Sequence, residues 1–397
     1  MLSLLGENLA RLRSRRGLTQ EELANASGVS VDTISRLERG ARLAVRSGTL
    51  AALAEALGSS SGALIGLRPV EQDTQGAGQL RRAVRALDLP DFAEPADVLP
   101  LAELHEAAGV AWADYLAGRH TELLVGLPAL MVDTRRAVHQ STGDEAARAA
   151  GLLATAYRLA AGLAGRLELT DLAAHAAHRA LQTARFTERP ELDEAAALRY
   201  LAWVLVRQGD YAEAERIAVR AAQRLDPGML PRPDADQVGV FGSLLFNAAS
   251  AAARGDNPDR ADDLLQVAAA AAVRDGTDRT GEAGVFGPRV AAMQAVDQAV
   301  RAGQPERALS LAQRVPPPSG PVPDFWEAGH RLHLAAASAD LERWDDVIQH
   351  MDAARTRAPQ WVRLQPLGQV VLGRLLERWP SRRPARVADL ARHYAPG

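Results

Sequence analysis

The sequence predicts an all-α fold in which a small N-terminal helical domain precedes a solenoid of helical hairpins. Three observations predict it. Within Thr19–Gly40 two short helical patterns, each with its own N-cap, are joined by a tight turn. From Gln79 onward the helical periodicity is almost uninterrupted. Along that stretch a turn recurs every 40 to 50 residues, as in stacked two-helix repeats.

The N-terminal elements follow in order. A first amphipathic helix over residues 4–16 turns Leu5, Leu9 and Leu12 inward and Arg11, Arg15 and Arg16 outward. Thr19 with Glu22 makes a capping box, so a second helix starts there and carries Leu23 and Ala24 into the core. Gly28 supplies the positive φ at which that helix stops. Ser30 caps a third helix with Ile34 and Leu37 on its buried face and Val31, Asp32, Ser35 and Arg36 on the other. A loop at 41–48 leads to a fourth helix with Leu50, Leu53, Ala54 and Leu57 on one stripe, and a short fifth near Ser61–Gly66 closes the domain. Residues 68–79, with Pro69 and Gln75-Gly76-Ala77-Gly78, lack periodicity and are expected as a flexible linker.

The remainder, residues 80–397, reads as repeats. In the clearest, Ala195–Pro227, Leu198, Leu201 and Ala202 share one helix face. The turn Gly209-Asp210-Tyr211 follows, and then Ala214, Ala218 and Ala221. Small residues at those alanine positions let two helices pack closely. This unit resembles the tetratricopeptide repeat, and looser copies centre their turns at 118, 168, 255, 303 and 343. A terminal pair, Val362–Trp379 and Pro384–Tyr394, is expected to cap the array. Proline-rich breaks at 227–234 and 316–323 are read as inter-repeat loops, and Phe286-Gly287-Pro288 as a helix start.

Composition narrows the chemistry. The 397 residues contain no cysteine, which removes disulfides, thiol nucleophiles and thiolate-bound metal. All 46 basic residues are arginine, so neither a P-loop lysine nor a Schiff-base amine is present. Residues 1–67 carry a net charge of +2 and the other 330 a net of −5, which suits nucleic-acid contact confined to one end. No run of 18 apolar residues appears, so neither membrane partner nor membrane span is expected, and a cytoplasmic location is. The pairs His175/His178 and His330/His333 have helical spacing but no third strong ligand, so no metal or other cofactor is expected.

The motif Leu12-Arg13, Gly17-Leu18-Thr19-Gln20, Leu23-Ala24, Gly28-Val29-Ser30, Ile34-Ser35 and Leu37-Glu38-Arg39-Gly40 resembles the Xre/Cro/cI family of helix-turn-helix DNA-binding domains. Thr49-Leu50 and Leu53-Ala54-Glu55-Ala56-Leu57 complete a match over residues 4–67. The resemblance implies a five-helix, lambda-repressor-like domain. Its DNA partner is double-stranded, with Val31, Asp32, Ser35 and Arg36 facing base edges and Thr19, Gln20, Ser30, Thr33, Arg42 and Arg46 facing phosphates. Asp32 is alternatively a residue that orients Arg36 across one helical turn. Arg13 and Glu38 match a buried structural ion pair of the family. One such domain reads about half a turn of DNA, so a homodimer on a palindromic operator is expected.

The whole plan resembles the peptide-pheromone receptor regulators of Gram-positive bacteria. That resemblance implies a solenoid that dimerises and senses a peptide or small metabolite. With the repeats registered on their turns, the concave side includes Trp112, Tyr115, Arg158, Arg199, Trp203, Arg207 and Asn247, which suit an extended peptide. The resulting expectation is a non-catalytic, ligand-responsive transcriptional regulator. The alternative is a protein-interaction adaptor in which the helix-turn-helix serves docking.

Overall fold

A computed structural model describes residues 4–39, 47–57, 64, 74–87, 98–228, 234–281, 284–379 and 384–394. The chain divides into two compact units, residues 1–72 with 331–397 and residues 73–330, a grouping that differs from the expected bodies 1–67 and 80–397. Each is described by itself. Among the described residues the fold is all-α apart from one two-stranded hairpin.

The N-terminal helices are α1 (Leu4–Arg15), α2 (Gln20–Ser27), α3 (Val31–Glu38) and α4 (Ser47–Ala56). Thr19 and Glu22 form both halves of the capping box that starts α2. Gly28, at φ 69°, ends α2 with its N–H on the Ala24 carbonyl. Leu9, Leu23, Ile34, Leu37, Leu53, Ala54, Leu57 and Leu64 make one closed core. The expected fifth helix lies outside the described residues except for the buried Leu64.

A helix, α5 (Thr74–Arg85), takes up the last six residues of the segment expected as a linker, with Ala77, Leu80, Ala83 and Val84 buried. The glycines at 76 and 78 hid this amphipathic stripe from a reading by propensity. Six hairpins follow: α6 (Leu101–Ala117) with α7 (His120–Gln140), α8 (Gly143–Arg166) with α9 (Thr170–Ala184), and α10 (Pro190–Gln208) with α11 (Tyr211–Leu225). Next come α12 (Ala235–Arg254) with α13 (Pro258–Asp275), α14 (Pro288–Arg301) with α15 (Pro305–Ala312), and α16 (Asp324–Asp340) with α17 (Trp344–Arg357).

Each hairpin turns the same way. A residue in the left-handed region sits at Gly118, Glu168, Gly209, Asp256, Gly303 and Glu342. The N–H of the following residue then reaches back five positions, in Arg119→Asp114, Leu169→Ala164, Asp210→Leu205, Asn257→Ala252, Gln304→Ala299 and Arg343→Ser338. This is the Schellman closure of a helix C-terminus, and it satisfies carbonyls the first helix would leave unpaired. All six expected turns fall between two helices, and the long period comes from helices of up to 24 residues.

Two details were not legible. The strands β1 (Arg279–Thr280) and β2 (Val285–Phe286) form an antiparallel hairpin before α14. Buried Asp278 beside it accepts from Arg289 N at the start of α14 and from Ser319 N and Oγ, which ties down the proline-rich loop. The terminal helix expected over 362–379 is instead α18 (Pro359–Arg363) and α19 (Pro366–Arg378), followed by α20 (Ala385–Tyr394). Pro366 cannot continue a helix from the preceding turn, so it starts a new one.

The shared turn gives a stability test. Glu342 is exposed and holds φ at 56°, a region glycine enters freely and a side-chain-bearing residue enters at roughly 1 kcal/mol. Glu342→Gly is expected to raise stability by about 1 kcal/mol in thermal melts, offset in part by glycine's larger unfolded-state entropy. A drop in stability would contradict the turn geometry.

Candidate nucleic-acid interface and solenoid inner face

Helix α3 carries the candidate interface. Ser30 caps it by accepting from Thr33 N, and its hydroxyl donates to Thr33 Oγ1 at 2.9 Å. Ile34, Leu37 and Glu38 face inward while Val31, Asp32 and Arg36 are exposed and Ser35 is half-buried. Arg36 and Asp32 pair through two contacts, Nε to Oδ1 at 2.9 Å and Nη2 to Oδ2 at 2.8 Å. This pair holds the guanidinium along the exposed face, at the small net energy of a solvated i,i+4 pair.

Behind this face lies a buried polar knot. Arg13 donates to both oxygens of Glu38, at 2.6 and 3.0 Å, and to the Leu18 carbonyl at 2.8 Å. The Glu38 hydrogen bond is the main reason the Arg13 pKa is raised. Gln20, expected on phosphate, directs its amide to Glu38 Oε2 at 2.7 Å, because a carboxylate with a lone pair to spare lies within its reach. Thr19 gives its oxygen to the helix cap. Arg42 and Arg46 lie outside the described residues.

Around the first helices of the hairpins, aromatic rings and arginines pack against one another. Trp112 stacks on Tyr115, with ring centroids 5.5 Å apart and an 18° interplanar angle. Tyr115 lies against Gly162 and Trp203 against Gly165, where a Cβ would come within 2.7 Å of the Tyr115 ring and 2.4 Å of the Trp203 ring. Two glycines on α8 thus let rings from α6 and α10 reach its backbone. Arg166 sits 3.9 Å over the Tyr115 ring and 4.5 Å over Phe325, while Phe325 meets Tyr115 edge-on at 6.4 Å. Trp326 lies 6.3 Å from Phe246. Arg207 is exposed and covers Trp203 at 4.7 Å, and Arg199 covers Tyr200 at 4.2 Å. The buried nitrogens Trp112 Nε1 and Arg199 Nε have no hydrogen-bond partner among the described residues.

Two of the expected ligand contacts are occupied in packing. Arg158 is buried, bonding Asp193 at 2.9 Å and Thr155 at 2.7 Å, which ties α8 to α10. Asn247 donates to the Arg199 carbonyl at 2.7 Å and so clamps α12 to α10. Of the histidine pairs, His178 bonds the Ala174 carbonyl and His330 is buried. Among the described residues no group of three His, Cys, Asp or Glu is placed to hold a metal, and no helix is long and apolar enough to cross a membrane.

Residues 4–65 match the helix-turn-helix domain family. The chain is 52% identical over 60 residues to y4dJ, an uncharacterised HTH-type transcriptional regulator of Sinorhizobium fredii, a match spanning 15% of this chain and 77% of the relative. The chain belongs to the helix-turn-helix transcriptional regulators. A solved structure of Bacillus thuringiensis PlcR in complex with the peptide PapR7 and DNA covers 88% of this chain and 99% of its own. The two are 10% identical with a TM-score of 0.32, at which the likeness carries no residue role.

Of the expected contacts, Tyr115 and Trp203 both meet the backbone of α8, with Trp112 stacked on the first and Arg207 over the second, while Arg166, Phe325 and Trp326, which were not expected, pack into the same aromatic group. The last two follow the proline-rich loop, where no periodic pattern registers them. Arg166 could have been found from the turn spacing, since it stands two residues before Glu168 as Arg207 stands before Gly209.

Beside Arg166 lies His120, 4% exposed, whose Nε2 is 3.3 Å from the guanidinium. Burial first and the Arg166 charge second drive its pKa from 6.5 to about 3. The unfolded chain therefore takes up a proton that the folded one refuses. Stability from this residue is complete above pH 6.5 and is lost as pH falls towards 3, at roughly 1.4 kcal/mol per pH unit as an upper limit. The His120→Gln variant is expected to lose about 2 kcal/mol less than wild type between pH 6.5 and 5 in urea unfolding. Parallel pH profiles would contradict a neutral, buried His120.

Proposed function

We propose that the regulator binds a palindromic DNA operator as a homodimer through α3, and that its solenoid senses a peptide or small metabolite that adjusts operator binding. The exposed face of α3 supports the DNA reading most directly, because it presents a hydrogen-bonded Asp32–Arg36 pair on a rigid, capped helix. Arginine bonds guanine O6 and N7 bidentately, Asp accepts from cytosine N4, Val31 contacts a thymine methyl, and Ser35 is adaptable to either partner. Ser30, Thr33 and Thr19 lie at helix N-termini, where hydroxyls and backbone N–H groups meet phosphate, with Arg42 and Arg46 assigned the same role from sequence.

The sensor reading rests on the inner face. Aromatic rings and arginines there converge on one side of successive hairpins, an arrangement suited to an extended chain. Trp112, Tyr115, Arg199, Trp203 and Arg207 are its proposed contacts. No catalytic step is assigned to the protein.

The expected result in quantitative gel shifts is that Arg36→Ala weakens the best operator by 10- to 100-fold, about 1–3 kcal/mol, and relaxes preference at one base position. Arg42→Gln is expected to weaken all sequences alike and to flatten the salt dependence by about one counterion. If Arg36→Ala leaves both affinity and preference intact, α3 is not the reading helix. If the wild type shows no salt-dependent DNA binding, the helix-turn-helix serves protein docking.

A further inference from the structure

The shared turn puts four arginines in one structural column. Arg166, Arg207, Arg254 and Arg301 each stand two residues before the left-handed residue of successive hairpins, Glu168, Gly209, Asp256 and Gly303. Because the six turns close with the same backbone bonds, these positions are equivalent, and their side chains leave neighbouring inner helices in the same direction.

The first of the four is spent. Arg166 is buried between Tyr115 and Phe325 and donates to the Tyr115 carbonyl. The other three are differently placed. Arg207 is exposed over Trp203 and Arg301 is exposed with Asp297 at 2.6 Å. Arg254, between them, is half-buried, and its Nε is shielded from solvent with no hydrogen-bond partner among the described residues. The Arg301 charge, then burial, lower the Arg254 pKa to about 9, and Arg207 adds to the effect. A guanidinium does not shed its proton at neutral pH, so the crowding persists as positive charge that Asp297, and Glu168 beside Arg207, offset only in part. Asp297 neutralises one of the three charges. Adjacent helix axes lie about 8–10 Å apart, a gap that two arginine arms close from either side onto a group between them.

We propose that Arg207, Arg254 and Arg301 form an oxyanion site on the inner face, which takes the carboxylate or phosphoryl group of the solenoid's ligand. The planar guanidinium fork matches both groups bidentately. The proposal rests on the reading of the solenoid as a ligand sensor and names the chemistry that sensor recognises. It also accounts for the arrangement. Three like charges held at one register weaken the empty protein and favour the occupied one, so an anion has a differential effect on the fold.

The test is thermal unfolding of the full chain in chloride, inorganic phosphate and succinate at matched ionic strength. Wild type is expected to show a midpoint that rises and saturates with one or both anions. Arg254→Gln and Arg207→Gln are expected to weaken the apparent affinity at least 10-fold. Arg224→Gln, which removes an exposed arginine paired with Glu194, is expected to leave it unchanged. In chloride alone, Arg254→Gln is expected to melt higher than wild type, since it removes a crowded charge. Saturation with phosphate only assigns a phosphoryl ligand, and with succinate only a carboxylate. A rise that is linear in anion and equal in all four proteins is a general salt effect and overturns the site. If a ligand that alters operator binding acts equally on wild type and Arg254→Gln, the site falls while the sensor reading stands. Saturable binding lost in both variants but without effect on operator affinity supports the site and removes the sensor reading.

Discussion

The backbone of the hairpin turn is the constraint on which the larger part of this molecule depends. Once one residue takes the left-handed conformation and the next N–H closes five positions back, the second helix leaves at a fixed angle. The turn recurs six times, and within residues 73–330 the residues that precede it fall at equivalent positions from one hairpin to the next. Three of the turns use glycine and three use Glu168, Asp256 or Glu342, so the backbone closure holds exposed acidic residues where sequence preference alone favours glycine. The columns then decide which side chains share the inner face. Phe325 meets Tyr115 and Arg166 although more than 150 residues separate them in sequence, which is a consequence of the curl these turns impose.

The helix-turn-helix domain relies on a different device. Its described core holds eight buried apolar residues, and a charged pair is set behind the exposed face of α3. Glu38 is buried yet accepts from both Arg13 and Gln20, so its oxygens are satisfied and α1, α2 and α3 are tied at one point. Removing one partner of such a pair strands a buried charge, at several kcal/mol. The pair therefore contributes orientation more than net stability, since it fixes how α3 presents Val31, Asp32 and Arg36.

Much of this was legible in the sequence because it was written in local rules. Thr19 and Glu22, Gly28, Ser30, and the apolar triplets of α1 and α3 each specify one cap, one stop or one face, and the structure uses them so. The turns at 118, 168, 209, 255, 303 and 343 were equally plain. Where reading failed, tertiary context decided. The glycines at 76 and 78 concealed α5, and Pro366 divided a helix that apolar spacing alone would continue. Arg158 and Asn247 stood at inward positions by count, yet Asp193 and the Arg199 carbonyl claimed them. Gln20 was drawn to Glu38 by a lone pair that only the folded arrangement brings near. Phe325 and Trp326, entering from a proline-rich loop, left no periodic trace at all.

The capped pair of helices accounts for the face this regulator presents to DNA, and the repeated turn accounts for the common register of the hairpins. The proposed pairing of two reading heads follows from the reach of one α3, which covers only part of a turn of the double helix. The most direct test is hydroxyl-radical footprinting of the full-length protein on a promoter fragment that it retains at physiological salt. The account predicts two protected segments related by a dyad, with centres about one helical turn, roughly 10 base pairs, or a multiple of it apart. A single protected segment without symmetry, or uniform protection along the fragment, would contradict it.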